Sequence, residues 1–192
     1  MKIGVLASQG AFAEHIAVLE KLHTEAVPVR LPGDLAGVDG LIIPGGESTT
    51  ISRLMDAYDL MGEIPARVKK GLPLFGTCAG MILMAKEVTG NGAKSLGLMD
   101  IKVRRNAFGR QVDSFETALV IPALGEIPFP AVFIRAPIIE QCQDGVTVLA
   151  ELPDGTAVAA RQGKLLVTAF HPELTEDPRL HQYFLDICSG KV

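Results

Sequence analysis

Cys78, His171 and Glu173 are the residues whose types and neighbours can do covalent chemistry in this chain. Cys78 lies in Gly76-Thr77-Cys78-Ala79-Gly80, directly after the apolar run Leu72-Pro73-Leu74-Phe75. Small residues on both sides permit a tight strand-to-helix turn that lifts the sulfur out of a sheet. A helix start at that point favours the anionic sulfur and supplies backbone donors for a developing oxyanion. The Gly-x-Cys-x-Gly spacing is that of a nucleophile elbow with sulfur in place of oxygen. The competing structural reading is a buried cysteine in a glycine-rich turn.

A second segment supplies what a thiol nucleophile needs. The run Lys164-Leu165-Leu166-Val167-Thr168-Ala169-Phe170 reads as a strand that delivers His171-Pro172-Glu173 at its carboxyl end. Pro172 fixes its own φ and biases His171 toward an extended backbone, so base and acid are presented on a short, stiff turn. In this reading Cys78 attacks a carbonyl, His171 manages its proton, and Glu173 orients the imidazole and stabilises its charged form. A surface turn after a buried strand is the bland alternative for His-Pro-Glu taken alone.

The glycine loop Pro44-Gly45-Gly46-Glu47-Ser48 fits the same chemistry better than it fits a nucleotide. It lacks the lysine of a phosphate-binding loop, and Gln9-Gly10 is neither Gly-x-Gly-x-x-Gly nor a Walker loop. Gly46 can instead turn a backbone amide toward a carbonyl oxygen, with the Ala79 amide as the second donor.

Whatever positions these groups must come from one substantial core. The chain has 192 residues, 48% of them hydrophobic, and its 20 glycines and 12 prolines punctuate several short apolar runs. One domain over 1–192 is expected, with no low-complexity linker and no internal repeat. The formal charge is -4 from 18 basic and 22 acidic side chains, without blocks of either sign, so nucleic-acid binding has little support. The amino terminus reads as a first strand rather than a signal peptide. No stretch approaches the roughly 20 apolar residues needed to cross a bilayer, and a cytoplasmic protein without a membrane partner is expected.

Three cysteines, Cys78, Cys142 and Cys188, show no Cys-x-x-Cys spacing, and the odd count argues against a complete disulfide framework. The four histidines form no compact metal-ligand motif, so no metal is expected. His15 and His23 in the first helical segment, and His181 in the last, are expected in ordinary surface or partly buried roles. Cys142 and Cys188 are assigned no chemistry.

Hydrophobic periodicity predicts strands over 2–7, 27–31 and 40–43, a helix over 12–22 with Ile16, Leu19 and Leu22 on its apolar stripe, and a helix starting at Ser48 or Thr49. A short helix over 64–70 precedes the strand that presents Cys78. Shorter strands follow over 101–104, 115–121, 131–134, 146–152, 156–161 and 164–170, then a final helix over 178–188. The alternation defines an α/β fold of the doubly wound type: a mostly parallel sheet flanked by helices, with antiparallel additions. Functional loops gather at the carboxyl ends of its strands.

In order along the chain, Pro44-Gly45-Gly46-Glu47-Ser48-Thr49-Thr50, Gly76-Thr77-Cys78-Ala79-Gly80, Arg105-Asn106-Ala107-Phe108-Gly109-Arg110-Gln111, Phe133-Ile134-Arg135-Ala136-Pro137 and Phe170-His171-Pro172-Glu173 form a specific set. Together they closely resemble class I, triad-type glutamine amidotransferases, and more narrowly the glutaminase subunits of pyridoxal 5'-phosphate synthase. The match runs across almost the whole chain.

The resemblance implies hydrolysis of L-glutamine to L-glutamate and ammonia through a γ-glutamyl thioester on Cys78, with His171 and Glu173 completing the triad. It implies oxyanion donors at Gly46 and Ala79 and glutamine recognition by Gly46, Glu47, Ser48, Arg105, Ile134 and Arg135. An arginine can pair with the substrate carboxylate, and an acidic side chain can face its amino group. It further implies that the ammonia passes to a synthase subunit in a multimeric complex, where it combines with ribose 5-phosphate and glyceraldehyde 3-phosphate. Pyridoxal 5'-phosphate is then the product of the partner and not a cofactor of this chain, which needs none. Gln9 and Gly10, at the carboxyl end of the first strand, are the candidates for a link to that interface, with a simple turn as the other reading. Two other readings remain open: a different cysteine hydrolase or amidase, which does not require the pocket of Glu47, Arg105 and Arg135, and a noncatalytic α/β scaffold, which does not require the Cys78 thiol.

Overall fold

Alternate apolar residues in the first strands send side chains to opposite faces of one sheet, and helices cover both faces. A computed structural model describes residues 1–90, 93–106 and 114–192. The first half of the chain runs β1 (Lys2–Leu6), α1 (Phe12–Lys21), β2 (Glu25–Val29), β3 (Gly40–Ile43), α2 (Ser48–Ala57), α3 (Leu60–Lys69), β4 (Leu74–Thr77) and α4 (Ala79–Met84). The second half runs β5 (Ala85–Thr89), β6 (Met99–Arg104), β7 (Ser114–Leu119), β8 (Phe129–Ile134), β9 (Ile138–Cys142), β10 (Thr147–Glu151), β11 (Ala157–Gln162), β12 (Leu165–Thr168) and α5 (Arg179–Ser189).

The main sheet has the order β2-β1-β3-β4-β12-β11-β9-β6-β5, with β10 on a second edge of β11. Strands β2, β1, β3, β4 and β12 are parallel neighbours. From β12 outward the pairing turns antiparallel through β11, β9 and β6, and β5 lies parallel to β6. The sheet is therefore mixed and helix-flanked, with five parallel neighbours gathered at one side and the parallel pair β5–β6 at the other. Strands β7 and β8 form a separate antiparallel pair.

Register explains the two-sided core. Val5, Ile42, Phe75 and Leu166 stand in one row across the parallel strands and belong to a cluster with Leu19 of α1 and Phe184 of α5. Their sequence neighbours Leu41, Ile43, Leu74 and Val167 point the other way, against Ile51 and Met55 of α2 and Ile64 of α3. Because the pleat has a period of two, a slip of one residue would exchange these faces. Phe75 is fully buried, and removing such a side chain from water contributes about 1.5–3 kcal/mol.

The carboxyl ends of the parallel strands lie at one edge, so the segments after β1, β3, β4 and β12 meet there. These are the segments that carry Gln9-Gly10, Gly45-Gly46, Cys78 and His171. No helix among the described residues is long and apolar enough to cross a membrane.

Candidate active site

Strand β4 ends at Thr77 and α4 begins at Ala79, leaving Cys78 alone at the elbow with φ 49° and ψ -102°. A non-glycine residue in the left-handed region costs about 1–3 kcal/mol and persists only where its surroundings impose it. Here they do so from both sides. The Cys78 amide donates to the Thr168 carbonyl at 2.8 Å, continuing the β4–β12 ladder. A β-carbon on Gly80 would collide with the Ile43 carbonyl oxygen, so only glycine lets the first turn of α4 press onto β3. The sulfur itself lies 3.9 Å from the Ile134 carbonyl oxygen at the end of β8.

His171 follows the end of β12, and its amide donates to the Val132 carbonyl at 2.8 Å. Pro172–Leu174 then make one 3-10 turn, which carries Glu173 back beneath the imidazole. Nδ1 of His171 lies 2.7 Å from Glu173 Oε1, and the Glu173 side chain has no exposed surface. Burial by itself would lower the His171 pKa. Hydrogen bonds to Cys78 and Glu173, with the charges of both, overcome that effect and lift it to about 10. The imidazole thus grips the carboxylate through Nδ1 and lines the same cavity as the thiol.

A cavity of about 470 Å³ opens over Cys78 and His171. Gly46, Glu47, Ser48, Ala79, Arg105, Ile134, Arg135 and Gln9 all line it, so one space brings together most of the residues singled out from sequence. Glu173 stands behind it as support for the ring. A depression of about 530 Å³ at the other end of the sheet, between Met1, Lys164 and Cys188, contains none of these groups. Arg105 and Asn106 are described, whereas Ala107, Phe108, Gly109, Arg110 and Gln111 of the same motif lie outside the described residues.

α2 starts at Ser48, as expected, and the residue before it, Glu47, is its N-cap. Its carboxylate accepts from the Thr49 amide at 3.0 Å and from the Thr50 amide and hydroxyl, both at 2.7 Å. The Thr50 hydroxyl outweighs the cost of burial and, with the Thr49 and Thr50 amides, holds the Glu47 pKa at about 2. Arg105 Nη2 approaches the same carboxylate at 3.5 Å. The loop is also stitched to the β1–α1 connection, where Gln9 Oε1 accepts from the Glu47 amide at 2.9 Å and the Ala11 amide donates to the Gly45 carbonyl at 3.1 Å.

Sequence reasoning missed several residues at this end of the sheet. Ile82 of α4 lines the cavity, and Asn106 joins it as more than a member of its motif. His15 and His181, read as ordinary surface or partly buried residues, are in fact fully buried directly behind Glu173. An apolar stripe on each helix carries them inward, and nothing local in the sequence pairs two histidines 166 residues apart.

Comparison with known proteins agrees with this geometry. Residues 5–190 match the model of the SNO glutamine amidotransferase family, and the chain belongs to that family. It is 59% identical to the pyridoxal 5'-phosphate synthase subunit PdxT of Herpetosiphon aurantiacus, over 97% of this chain and all of that one. It is 58% identical to the protein of the same name from Dehalococcoides mccartyi strain CBDB1, over 97% of each. A crystal structure described as a glutamine amidotransferase superposes with a TM-score of 0.93 at 51% identity, covering 97% of this chain and 98% of the other. As a glutamine amidotransferase, the chain releases ammonia from L-glutamine.

Proposed function

We propose that Cys78, His171 and Glu173 form the triad of this glutaminase, and that the chain works as a single amidotransferase domain supplying ammonia to a pyridoxal 5'-phosphate synthase subunit. The observation that carries the triad is the His171 ring, which lines one cavity with Cys78 and is hydrogen-bonded through Nδ1 to the buried Glu173 carboxylate. The relatives' names support the partner.

Glutamine enters with its carboxamide toward Cys78. The sulfur attacks the carbonyl carbon, and the amides of Gly46 and Ala79 receive the negative charge that develops on oxygen. The His171 imidazolium gives its proton to the departing nitrogen, which leaves as ammonia, and a γ-glutamyl thioester remains on Cys78. His171, now neutral, takes a proton from water, and the resulting attack releases glutamate and regenerates the thiol. Glu173 holds the ring through both half-reactions. Arg105 and Arg135 receive the substrate carboxylate. Glu47, kept anionic by the cap of α2, faces the amino group, and Gly46, Ser48 and Ile134 complete the pocket.

Gln9 and Gly10 link this site to the partner. They lie on the same connection that bonds to Gly45 and Glu47, so a protein that presses on the β1–α1 loop acts directly on the oxyanion loop. Ammonia release is therefore low in the isolated chain and rises on assembly. The test is to titrate the synthase subunit into a fixed concentration of this chain, following ammonia and binding together, with Cys78→Ala as the blank. Activity already maximal alone and unchanged at saturating partner would refute the gating and leave the triad in place.

A further inference from the structure

Behind the triad, two histidines that take no part in the proposed reaction are sealed in the core. His15 and His181 have no exposed surface, and the edge of the Phe75 ring packs near both. His15 Nδ1 lies 2.9 Å from His181 Nε2. The other nitrogen of His15, Nε2, lies 3.1 Å from Thr77 Oγ1 and 3.4 Å from Glu173 Oε2, the carboxylate oxygen that His171 does not use. Thr77 Oγ1 in turn accepts from the Gly45 amide at 3.1 Å. One network thus joins the triad acid to the start of the oxyanion loop.

Hydrogen bonding and the nearby carboxylate decide which nitrogen of His15 carries the proton. Burial holds His181 at about 3, and burial with the charges of His181 and His171 holds His15 well below its ordinary value, so both rings are neutral and each carries one N–H. Suppose the proton sits on His15 Nδ1. It then donates to His181 Nε2, which forces the His181 proton onto Nδ1, a buried atom with no partner among the described residues. Glu173 Oε2, also without a well-directed donor, would face a lone pair. With the proton on His15 Nε2, that N–H donates to Thr77 Oγ1 and presents its positive hydrogen toward Glu173 Oε2, 3.4 Å away. His181 Nε2–H donates to His15 Nδ1, which leaves the His181 Nδ1 lone pair and the Thr77 hydroxyl hydrogen to be placed. A lone pair on Nε2 would be repelled by the buried carboxylate oxygen 3.4 Å away, whereas an N–H is attracted to it, so the second arrangement holds.

We infer that His15 is a positioning residue for the glutaminase reaction: the electrostatic pull of its Nε2–H on Glu173 Oε2 keeps Oε1 aimed at His171, and His181 supports the His15 tautomer. The inference rests on the triad assignment above. It parallels the outer-sphere partners that orient reactive groups elsewhere, whose loss costs about 10–100-fold.

The experiment uses the chain assembled with the synthase subunit. In 15N spectra of histidine-labelled wild-type protein, His15 Nε2 should appear protonated and Nδ1 unprotonated. His15→Leu should lower kcat about tenfold with KM within about twofold, because His15 touches no substrate, and His15→Gln, which keeps an N–H on a longer side chain, should recover most of the loss. In a Glu173→Gln background the same leucine substitution should cost less than about twofold, since the group it positions is already altered. A proton on His15 Nδ1 overturns the inference, and so does an equal loss in both backgrounds. The spectrum needs no variant, so it decides the matter even where His15→Leu fails to fold. Cys78→Ala separates the two claims: turnover by that protein would overturn the triad itself, whereas equal losses beside an inactive Cys78→Ala overturn only the role of His15.

Discussion

Gly45 packs so closely against His171 that a β-carbon on it would collide with Cε1 and come within 2.9 Å of Nδ1. The glycine loop and the imidazole are therefore fitted to each other. Gly45→Ala must push either the ring off Glu173 or the loop off its bond to Thr77. A displacement near 1 Å at a reacting group costs on the order of 100-fold. We expect kcat to fall by about that factor while the protein still folds, as read by steady-state glutaminase assay and circular dichroism. A rate within threefold of wild type would show that the loop gives way freely.

Cys78 carries a positive φ that a glycine would adopt without strain. Cys78→Gly and Cys78→Ala both remove the sulfur and should both be inactive, but they should differ in stability. The glycine protein is expected to be the more stable by about 1 kcal/mol, with relief of backbone strain exceeding the entropy that glycine adds to the unfolded chain. Thermal unfolding of the two variants side by side tests this. An alanine protein as stable as the glycine one would mean that the elbow stores no strain.

His171 is held protonated up to pH about 10 by Cys78 and Glu173, against the effect of burial. In the proposed reaction its imidazolium protonates the leaving nitrogen, so kcat/KM should fall on the alkaline side near that pH and not near the ordinary value of 6.5. Glu173→Gln removes one of the influences that raise the pKa, so the alkaline limb of the variant must move to lower pH. A pH–rate profile of each protein measures the shift. An unmoved limb would detach Glu173 from the ring.

Much of this site was legible because its signals are local. Gly76-Thr77-Cys78-Ala79-Gly80 and His171-Pro172-Glu173 each lie within a few residues, and their elements appear where the apolar runs place them, as do β3 and the α5 helix between Pro178 and Gly190. What lies between strands was harder to read. β2 runs Glu25–Val29 rather than 27–31 because its charged first residue is anchored at a sheet edge by Lys2, a pairing no local pattern reveals. α3 starts at Leu60 rather than Ile64 and holds Pro65 within it. The edge strand β5, Ala85-Lys86-Glu87-Val88-Thr89, lacks clear alternation and was not anticipated, nor was β9. His15 and His181 are the sharpest case, because their meaning exists only once two distant helices pack on the same face of β4.

Glu47 serves two ends, as cap of α2 and as wall of the cavity. Glu47→Ala should lower stability by about 1 kcal/mol through loss of the cap. It should also raise the KM for glutamine roughly tenfold or more, as expected when a charged contact to the substrate amino group is lost. Thermal unfolding and a glutamine titration read the two effects separately. Loss of stability with an unchanged KM would leave the cap and remove Glu47 from recognition.

The central claim is that Cys78 carries the glutamyl group, and trapping that group tests it most directly. The chain, assembled with its synthase partner, is mixed with L-glutamine, quenched in acid during turnover and analysed by peptide mass spectrometry. The account predicts a glutamyl adduct on the peptide containing Cys78, absent from Cys78→Ala, which should release no ammonia. Ammonia release by the Cys78→Ala protein, or an adduct on a different residue, would contradict it.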